Sequence, residues 1–438
     1  MRKRGLFFVI IILSMLLNSQ TPLLIINARK ASIKIGVLGP LEISVGKDME
    51  AGAKLAVKEI NAAGGVTVGG LAYDLELLVE TTSDPATGLP NDTVGVTSVK
   101  KLQEQDDVSA MLGLFRKEVA LAVMAELDRP FLGVAASAPI ITPYFWRVGP
   151  SNGTQLARSL LDFYNYGLGQ QQGVRNVTIV RQDAGWALAM SSAMKMYLGG
   201  GLLGIDFDFT DDIVLAEDAS FEAVNGSLAP LENEYQGLNV NALMPIFAGA
   251  AGKHITEAWA SLNLAQYLAG INVGAQSDSY FEETEGSAYG EIELESTPPD
   301  INSTTKTHLF RAGYWIEYGE KPSLTAFTSY DAVYVIKDAL ERADSTNAAD
   351  LQAVLATTDF EGAAYTIRFT SELGSQNDTA ADGSKVPVPG APTGITVHDA
   401  YSEFTVYKID ETYIRGYYVQ WQQGGVKKTV WTRPGETV

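Results

Sequence analysis

Three histidines, His254, His308 and His398, are the whole imidazole complement of this 438-residue chain, and they sit in unrelated segments. Their spacing matches no metal-ligand pair and no nucleophile–base arrangement, and no G-x-S-x-G elbow, P-loop or H-E-x-x-H sequence occurs. The chain has no cysteine, which removes disulfides, thiolate metal sites and a cysteine nucleophile. The acid pairs Asp106-Asp107, Asp211-Asp212 and Glu282-Glu283 are sequence neighbours and read as loop or helix-end charges. A glycosidase-type dyad needs two carboxylates facing each other across a substrate. The residue types therefore point to binding rather than to reaction. No catalytic residue, no metal and no cofactor is assigned.

The segment PFLGVAASAP, residues 130–139, carries the clearest binding chemistry. An apolar strand ends in Ala135-Ala136-Ser137-Ala138 before Pro139. Small side chains leave backbone N–H groups open to close approach, and Ser137 adds a hydroxyl, so this turn can hold a carboxylate. Its bland alternative is an ordinary strand-ending loop. Arg116, in Phe115-Arg116-Lys117-Glu118, is a second candidate, because a guanidinium facing a cleft binds a carboxylate bidentately. The alternative is a surface arginine beside Lys117 at a helix start. Glu42 is the one acid that the sequence places near a possible cleft.

These residues need a scaffold, and the chain supplies one at its start. Residues 33–38 form an apolar strand ending at Gly39-Pro40. Met49, Ala53, Ala56, Val57 and Ile60 mark one face of a helix over 48–62, and Gly64-Gly65 ends it. The second apolar run, YDLELLVETTSDP, completes a βαβ unit. Its strand-to-helix loop, 41–47, opens at the carboxyl ends of the strands, where open α/β sheets bind ligands. Helices over 93–105 and 118–128 alternate with strands over 108–112 and 130–133. A new series follows Pro150, with helices over 153–166, 186–197 and 253–264 and strands over 176–181, 205–209, 242–247 and 271–273. Such alternation predicts parallel sheets with crossover helices. A return to the first lobe near 291–297 leads to a helix over 324–342. Residues 375–393 read as a loop, and 403–409 and 413–422 as strands paired with each other.

At 46% hydrophobic residues and near-zero mean hydropathy the chain is globular, and its length calls for two domains. The formal charge of −20 argues against nucleic acid and against docking on anionic lipid. Arg2, Lys3 and Arg4 precede an apolar stretch over 6–17 and four polar residues, the layout of a secretory signal in residues 1–31. The alternative is an uncleaved membrane anchor. Six Asn-X-Ser/Thr sequons, at Asn91, Asn152, Asn176, Asn225, Asn302 and Asn377, mildly support export.

The run IKIGVLGP…GKDMEAGAKLAVKEINAAGGV…SDP resembles the start of type I periplasmic binding proteins, in the branched-chain amino-acid branch of ABC transporter solute-binding subunits. AMLGLF, PFLGVAASAP, FWRVGPSNGTQ, SYDAVYVIKDALERA and DFEGAAYTIRF follow in the family's order, so the resemblance spans about 33–423. It implies an α/β fold of two lobes, each a parallel central sheet flanked by helices, with the ligand cleft between them. The lobes would divide as 32–149, 150–290, 291–365 and 366–438, the last holding a hinge crossing and the end of lobe two. It also implies that Ala136 and Ser137 bind a ligand carboxylate, and that Trp186 stands where relatives carry a cleft tyrosine. Trp186 also fits the buried face of its helix, in step with Met190 and Ala193. Where relatives place acids against the ligand ammonium, this chain has Asn152 and Gln276, amides that disfavour a zwitterion unless Asp278 or Glu118 substitutes. Asn152 also suits a helix N-cap. The expected function is an exported, monomeric solute-binding protein, periplasmic, extracellular or at the cell surface. It would close on a small amino-acid-like or carboxylate-bearing solute and deliver it to a membrane permease. The alternative is a sensor of the same fold, which neighbouring kinase or receptor genes would favour over permease genes.

Overall fold

The computed structural model describes residues 31–138, 140–149, 153–232, 241–369, 378–379, 385–386, 398–401 and 417–431. In the first sheet β1 (Ser32–Gly39) lies parallel between β3 (Leu71–Thr81) and β4 (Ala110–Gly113). β5 (Phe131–Gly133) and β6 (Phe145–Arg147) continue the parallel set, and β2 (Val66–Val68) pairs antiparallel with β3 at the other edge. Beyond β6 come β17 (His398–Tyr401), β14 (Thr366–Phe369) and β13 (Asp359–Glu361). The second sheet has parallel strands β7 (Asn176–Gln182), β10 (Asn241–Phe247), β11 (Tyr267–Asn272) and β12 (Ile292–Glu295). β8 (Asp208–Phe209) and β9 (Ile213–Leu215) both pair with β7. The antiparallel hairpin β18 (Tyr417–Gln422) and β19 (Val426–Trp431) adds to β12. A short ladder, β15 (Asp378–Thr379) with β16 (Lys385–Val386), stands apart.

Helices cover both faces of each sheet, which is why the central strands are largely buried; all seven residues of β10 are. On the first sheet Ile33, Ile35 and Val37 pack under α1 (Ser44–Ala62) and α10 (Leu324–Ala343). The alternate residues Leu38, Met111 and Phe131 meet α2 (Asp92–Lys100) and α3 (Lys117–Met124). On the second sheet Val177 and Ile179 face α4 (Gly153–Asp162) and α5 (Gly185–Leu198). Val180, Leu243 and Phe247 face α6 (Phe221–Leu228) and α7 (Gly252–Leu262). α8 (Tyr280–Glu283), α9 (Thr307–Tyr318) and α11 (Ala348–Leu355) complete the helices used below. α1 and α10 approach closely because of Gly52: a Cβ there would stand 2.1 Å from the Ala326 carbonyl oxygen.

Several sequence expectations are corrected. α1 begins at Ser44, so residues 44–47, read as loop, are its first turn. The helices read over 93–105 and 153–166 end in wider π turns, Lys101–Gln105 and Phe163–Gln171. α9 goes unread because Leu309, Trp315 and Ile316 on its outer side are exposed, which blurs the apolar period. β12 lies inside the second sheet with Ile292 and Leu294 in its core, so the return crossing falls after Glu295 rather than at 291. β14 and β17 are strands of the first sheet, so the stretch 366–438, expected to hold a hinge crossing and the end of lobe two, also contributes to lobe one. β18 pairs with β12 and β19, and the expected partner 403–409 lies outside the described residues. Of the predicted loop 375–393, only the β15–β16 ladder is described.

Candidate functional site

The loops leaving the carboxyl ends of both sheets converge on one cleft of about 1040 Å³, its mouth included. From the first sheet come Ser44, Val45 and Asp48 after β1, Phe115 and Arg116 after β4, and Ala135 and Ser137 after β5. From the second come Trp186 after β7, Ala248 after β10, and Val273 and Gln276 after β11. This is where parallel sheets present free backbone groups and loop side chains. Four expected site residues, Arg116, Ser137, Trp186 and Gln276, thus line one cavity. Asn152 lies outside the described residues.

The 135–137 turn lines the cleft through Ala135 and Ser137. Ala135 and Ser137 are half-buried at the cleft, while the side chain of Ala136 turns into the core under the first sheet. The carbonyls of Ala136, Ser137 and Ala138 are engaged. Buried Arg147 donates to the carbonyls of Ala136 and Ala138, and Gly153 N–H donates to that of Ser137 at 3.2 Å. Among the described residues, the N–H groups of Ala135, Ala136 and Ser137 meet no acceptor. Three unsatisfied donors above a buried guanidinium suit a carboxylate. Ala136 can contribute only its backbone amide.

Arg116 does not stand free. Leu114, in the left-handed region at φ 67, turns the chain so that Arg116 enters the space between the lobes. There its Nη2 pairs with Glu217, which follows β9 and also accepts from Gln182 Nε2 at 2.7 Å. The guanidinium is 9% exposed and its Nε has no partner among the described residues. A fixed internal carboxylate therefore takes the role expected of the ligand. Its neighbour Lys117, half-buried in the cleft wall, forms no ion pair or hydrogen bond among the described residues and is the cation open to solute.

Asp48 is the acid that sequence reasoning missed, and Glu42 is not the cleft acid: it bonds the Thr81 hydroxyl at 2.9 Å outside the cavity. Asp48 lines the cleft from the first turns of α1 and accepts from the Tyr314 hydroxyl at 3.2 Å. It forms no ion pair among the described residues. Burial raises its pKa, opposed in part by Ser323 and Tyr314 beside it. The signal was the helix start: a helix beginning at 44 aims residue 48 at the strand ends, whereas one beginning at 48 hides it.

Trp186 stands at the boundary between the cleft and the core of the second sheet. It lines the cleft, packs against the core of the second sheet, and leaves its indole N–H without a partner among the described residues. Gln276 donates to the Leu294 carbonyl at 3.1 Å, and its own carbonyl accepts from Lys427 Nζ at 2.9 Å. Asp278 pairs with Lys321 across the lobes at 2.8 Å, and Glu118 lies outside the main cleft. Neither of these acids is free in the cleft to replace the family's. His254 bonds Glu257 at 2.8 Å on α7 and is not among the residues that line the cleft.

Comparison with solved structures places this architecture. A Rhodopseudomonas palustris ABC transporter solute-binding protein in complex with benzoate aligns over 91% of this chain and 96% of its own, with TM-score 0.65 and 15% identity. The leucine-binding protein LivK of Thermotoga maritima aligns over 91% and 97%, with TM-score 0.64 and 16% identity. The branched-chain amino acid transporter substrate-binding protein LivJ of Streptococcus pneumoniae, in complex with isoleucine, aligns over 85% and 99%, with TM-score 0.63 and 17% identity. At these identities the likeness is one of fold. No curated protein sequence matches this chain. Residues 32–382 match the profile of the family described as periplasmic binding protein. The chain belongs to the periplasmic binding protein family, with the type I two-lobed fold.

Proposed function

We propose that this chain is the exported solute-binding component of an ABC transporter, taking an amino-acid-like solute between its lobes and presenting the closed form to a permease. The observation that carries this reading is the cleft itself, with the 135–137 turn on one wall and the Asp48 carboxylate on another, amides without an acceptor and a carboxylate without an ion pair among the described residues. The first suits a ligand carboxylate and the second its ammonium. Apolar Val45, Phe115, Trp186 and Val273 line the cleft around them and suit an aliphatic or aromatic body. The relatives bound to isoleucine and to benzoate support a carboxylate-bearing solute. Residues 1–31 serve as the export signal, and among the described residues no helix is long and apolar enough to cross a membrane.

Closure follows from contacts that span the lobes. Arg116 with Glu217 and Lys321 with Asp278 join first-sheet loops to second-sheet loops. A solute touching both walls favours the closed state by its differential affinity for that state. A thermal-shift screen of amino acids and carboxylates tests the reading. At 100 times its dissociation constant a ligand stabilises by about 2.7 kcal/mol. A rise in melting temperature with members of this set, and none with sugars or polyamines, is expected. Stabilisation by sugars alone would overturn it.

A further inference from the structure

A second cavity adjoins the first, with Gln276, Ser323 and Leu324 in the walls of both. It too lies between the lobes. Glu295 and Lys427 come from the second sheet's side, and Arg311 and Trp315 of α9 from the first sheet's side. Among its lining residues, three cations stand against two carboxylates. Lys427 pairs with Glu295, both 8% exposed, and Lys321 pairs with Asp278 at 2.8 Å, so these four cancel. Arg311 remains. It donates to the Pro298 carbonyl at 2.5 Å and to Asn302 Oδ1 at 3.2 Å, and lies over the Phe327 ring, 5.4 Å from its centroid. Among the described residues it forms no ion pair. The nearby carboxylates are engaged elsewhere: Asp300 accepts from the Thr429 N–H at 3.0 Å and from its hydroxyl at 2.5 Å, and Glu295 is held by Lys427.

A guanidinium has five donors, and protein carbonyls and amides here take two of them. Burial lowers the Arg311 pKa, and Asp300 and Glu295 offset that only in part. An arginine so placed stays charged and gains most from an anion delivered to its planar fork. Trp315 in the same wall offers an apolar face beside it.

We propose that this second cavity is a distal anion subsite centred on Arg311. The solute is then elongated: its amino-acid head sits at Ser137 and Asp48, and a second carboxylate reaches past Gln276 to Arg311. This rests on the reading of the main cleft given above. An α-amino dicarboxylic acid is the simplest chemistry that fits, and a short peptide or acyl derivative ending in a carboxylate shares it.

The test is calorimetric titration of the protein with matched pairs differing only in a terminal methyl or carboxylate. Suitable pairs are norvaline and glutamate, norleucine and 2-aminoadipate, and 2-aminoheptanoate and 2-aminopimelate, with the same acids lacking the amino group run alongside. At one chain length the dicarboxylate should bind at least tenfold more tightly than its partner. In Arg311→Gln that gain should shrink below twofold, and in Arg311→Lys, which keeps the charge without the fork, part of it should remain. Binding of the methyl-ended partner shows that each variant is folded. A dicarboxylate no tighter than its partner at any length, or a gain that survives in Arg311→Gln, would overturn the distal subsite and leave the main cleft standing. If no acid of either kind binds, the main-cleft reading fails and this inference with it.

Discussion

In the proposed binding mode Ser137 and Asp48 take opposite halves of the head group, so their variants should fail in different ways. Ser137→Ala removes a hydroxyl but keeps the three amides, and should weaken a carboxylate ligand by about 0.5–1.5 kcal/mol, up to roughly tenfold in affinity. Asp48→Asn should cost an amino acid more, about 1.5–3 kcal/mol, because a charge-assisted bond to the ammonium is lost. The same change should leave an acid without an amino group nearly unaffected. Calorimetry on an amino acid and its deaminated counterpart separates the two. The raised pKa of Asp48 adds a sign. Its carboxylate must be ionised to hold an ammonium, so affinity for the amino acid should fall as pH drops through that raised value, and Asp48→Asn should abolish the trend. Ser137 was legible in the sequence because a small-residue turn after a buried strand is a local signal, and Trp186 because the family resemblance sets it where relatives carry a cleft tyrosine. Asp48 was not, since the loop before α1 was drawn four residues too long. Arg116 was found, but its partner Glu217 lies 101 residues away, and no local pattern reveals an ion pair that distant.

At the level of elements, two ion pairs bridge the lobes among the described residues, and burial ranks them. Lys321 and Asp278 are 52% and 24% exposed, so their pair is worth about 0–1 kcal/mol, and Lys321→Ala should change ligand affinity less than about fivefold. Arg116 is 9% exposed. Removing Glu217 strands a buried guanidinium, at a cost of about 3–5 kcal/mol to the closed form. Glu217→Gln should therefore lower affinity far more than Lys321→Ala, and equal effects in titration would contradict the ranking. The α1–α10 contact makes a separate prediction. A methyl at position 52 meets main chain rather than a movable side chain, so Gly52→Ala should destabilise by about 1–3 kcal/mol in denaturant unfolding. The long parallel-sheet elements were legible because buried strands and amphipathic helices leave strong periodic signals. The three-residue strands β6 and β9 are too short to show a period, and the partner of β18 is set by the free edge of β12, which is a property of the assembled sheet.

Across the whole molecule, buried acids set the response to pH. Glu291 in the second lobe and Asp331 in the first are fully buried, and burial raises each to about 7. Such a group holds its proton in the folded state while the unfolded chain has released it. Its contribution to stability is therefore full at low pH, lost as pH rises from the unfolded carboxyl range to about 7, and flat above that. The Glu291→Gln variant should lose less stability than the parent between pH 5 and pH 7.5, by an amount of order a few kcal/mol given about 1.4 kcal/mol per pKa unit. Parallel denaturant titrations at the two pH values check this. The central claim, however, is that solute binds between two lobes and draws them together. Small-angle scattering of the protein, alone and saturated with the tightest binder of the amino-acid and carboxylate panel, tests it directly. The account predicts a smaller radius of gyration with solute, and no such change when Asp48→Asn is given an amino acid at the same concentration. An identical scattering profile with and without a saturating ligand would contradict it.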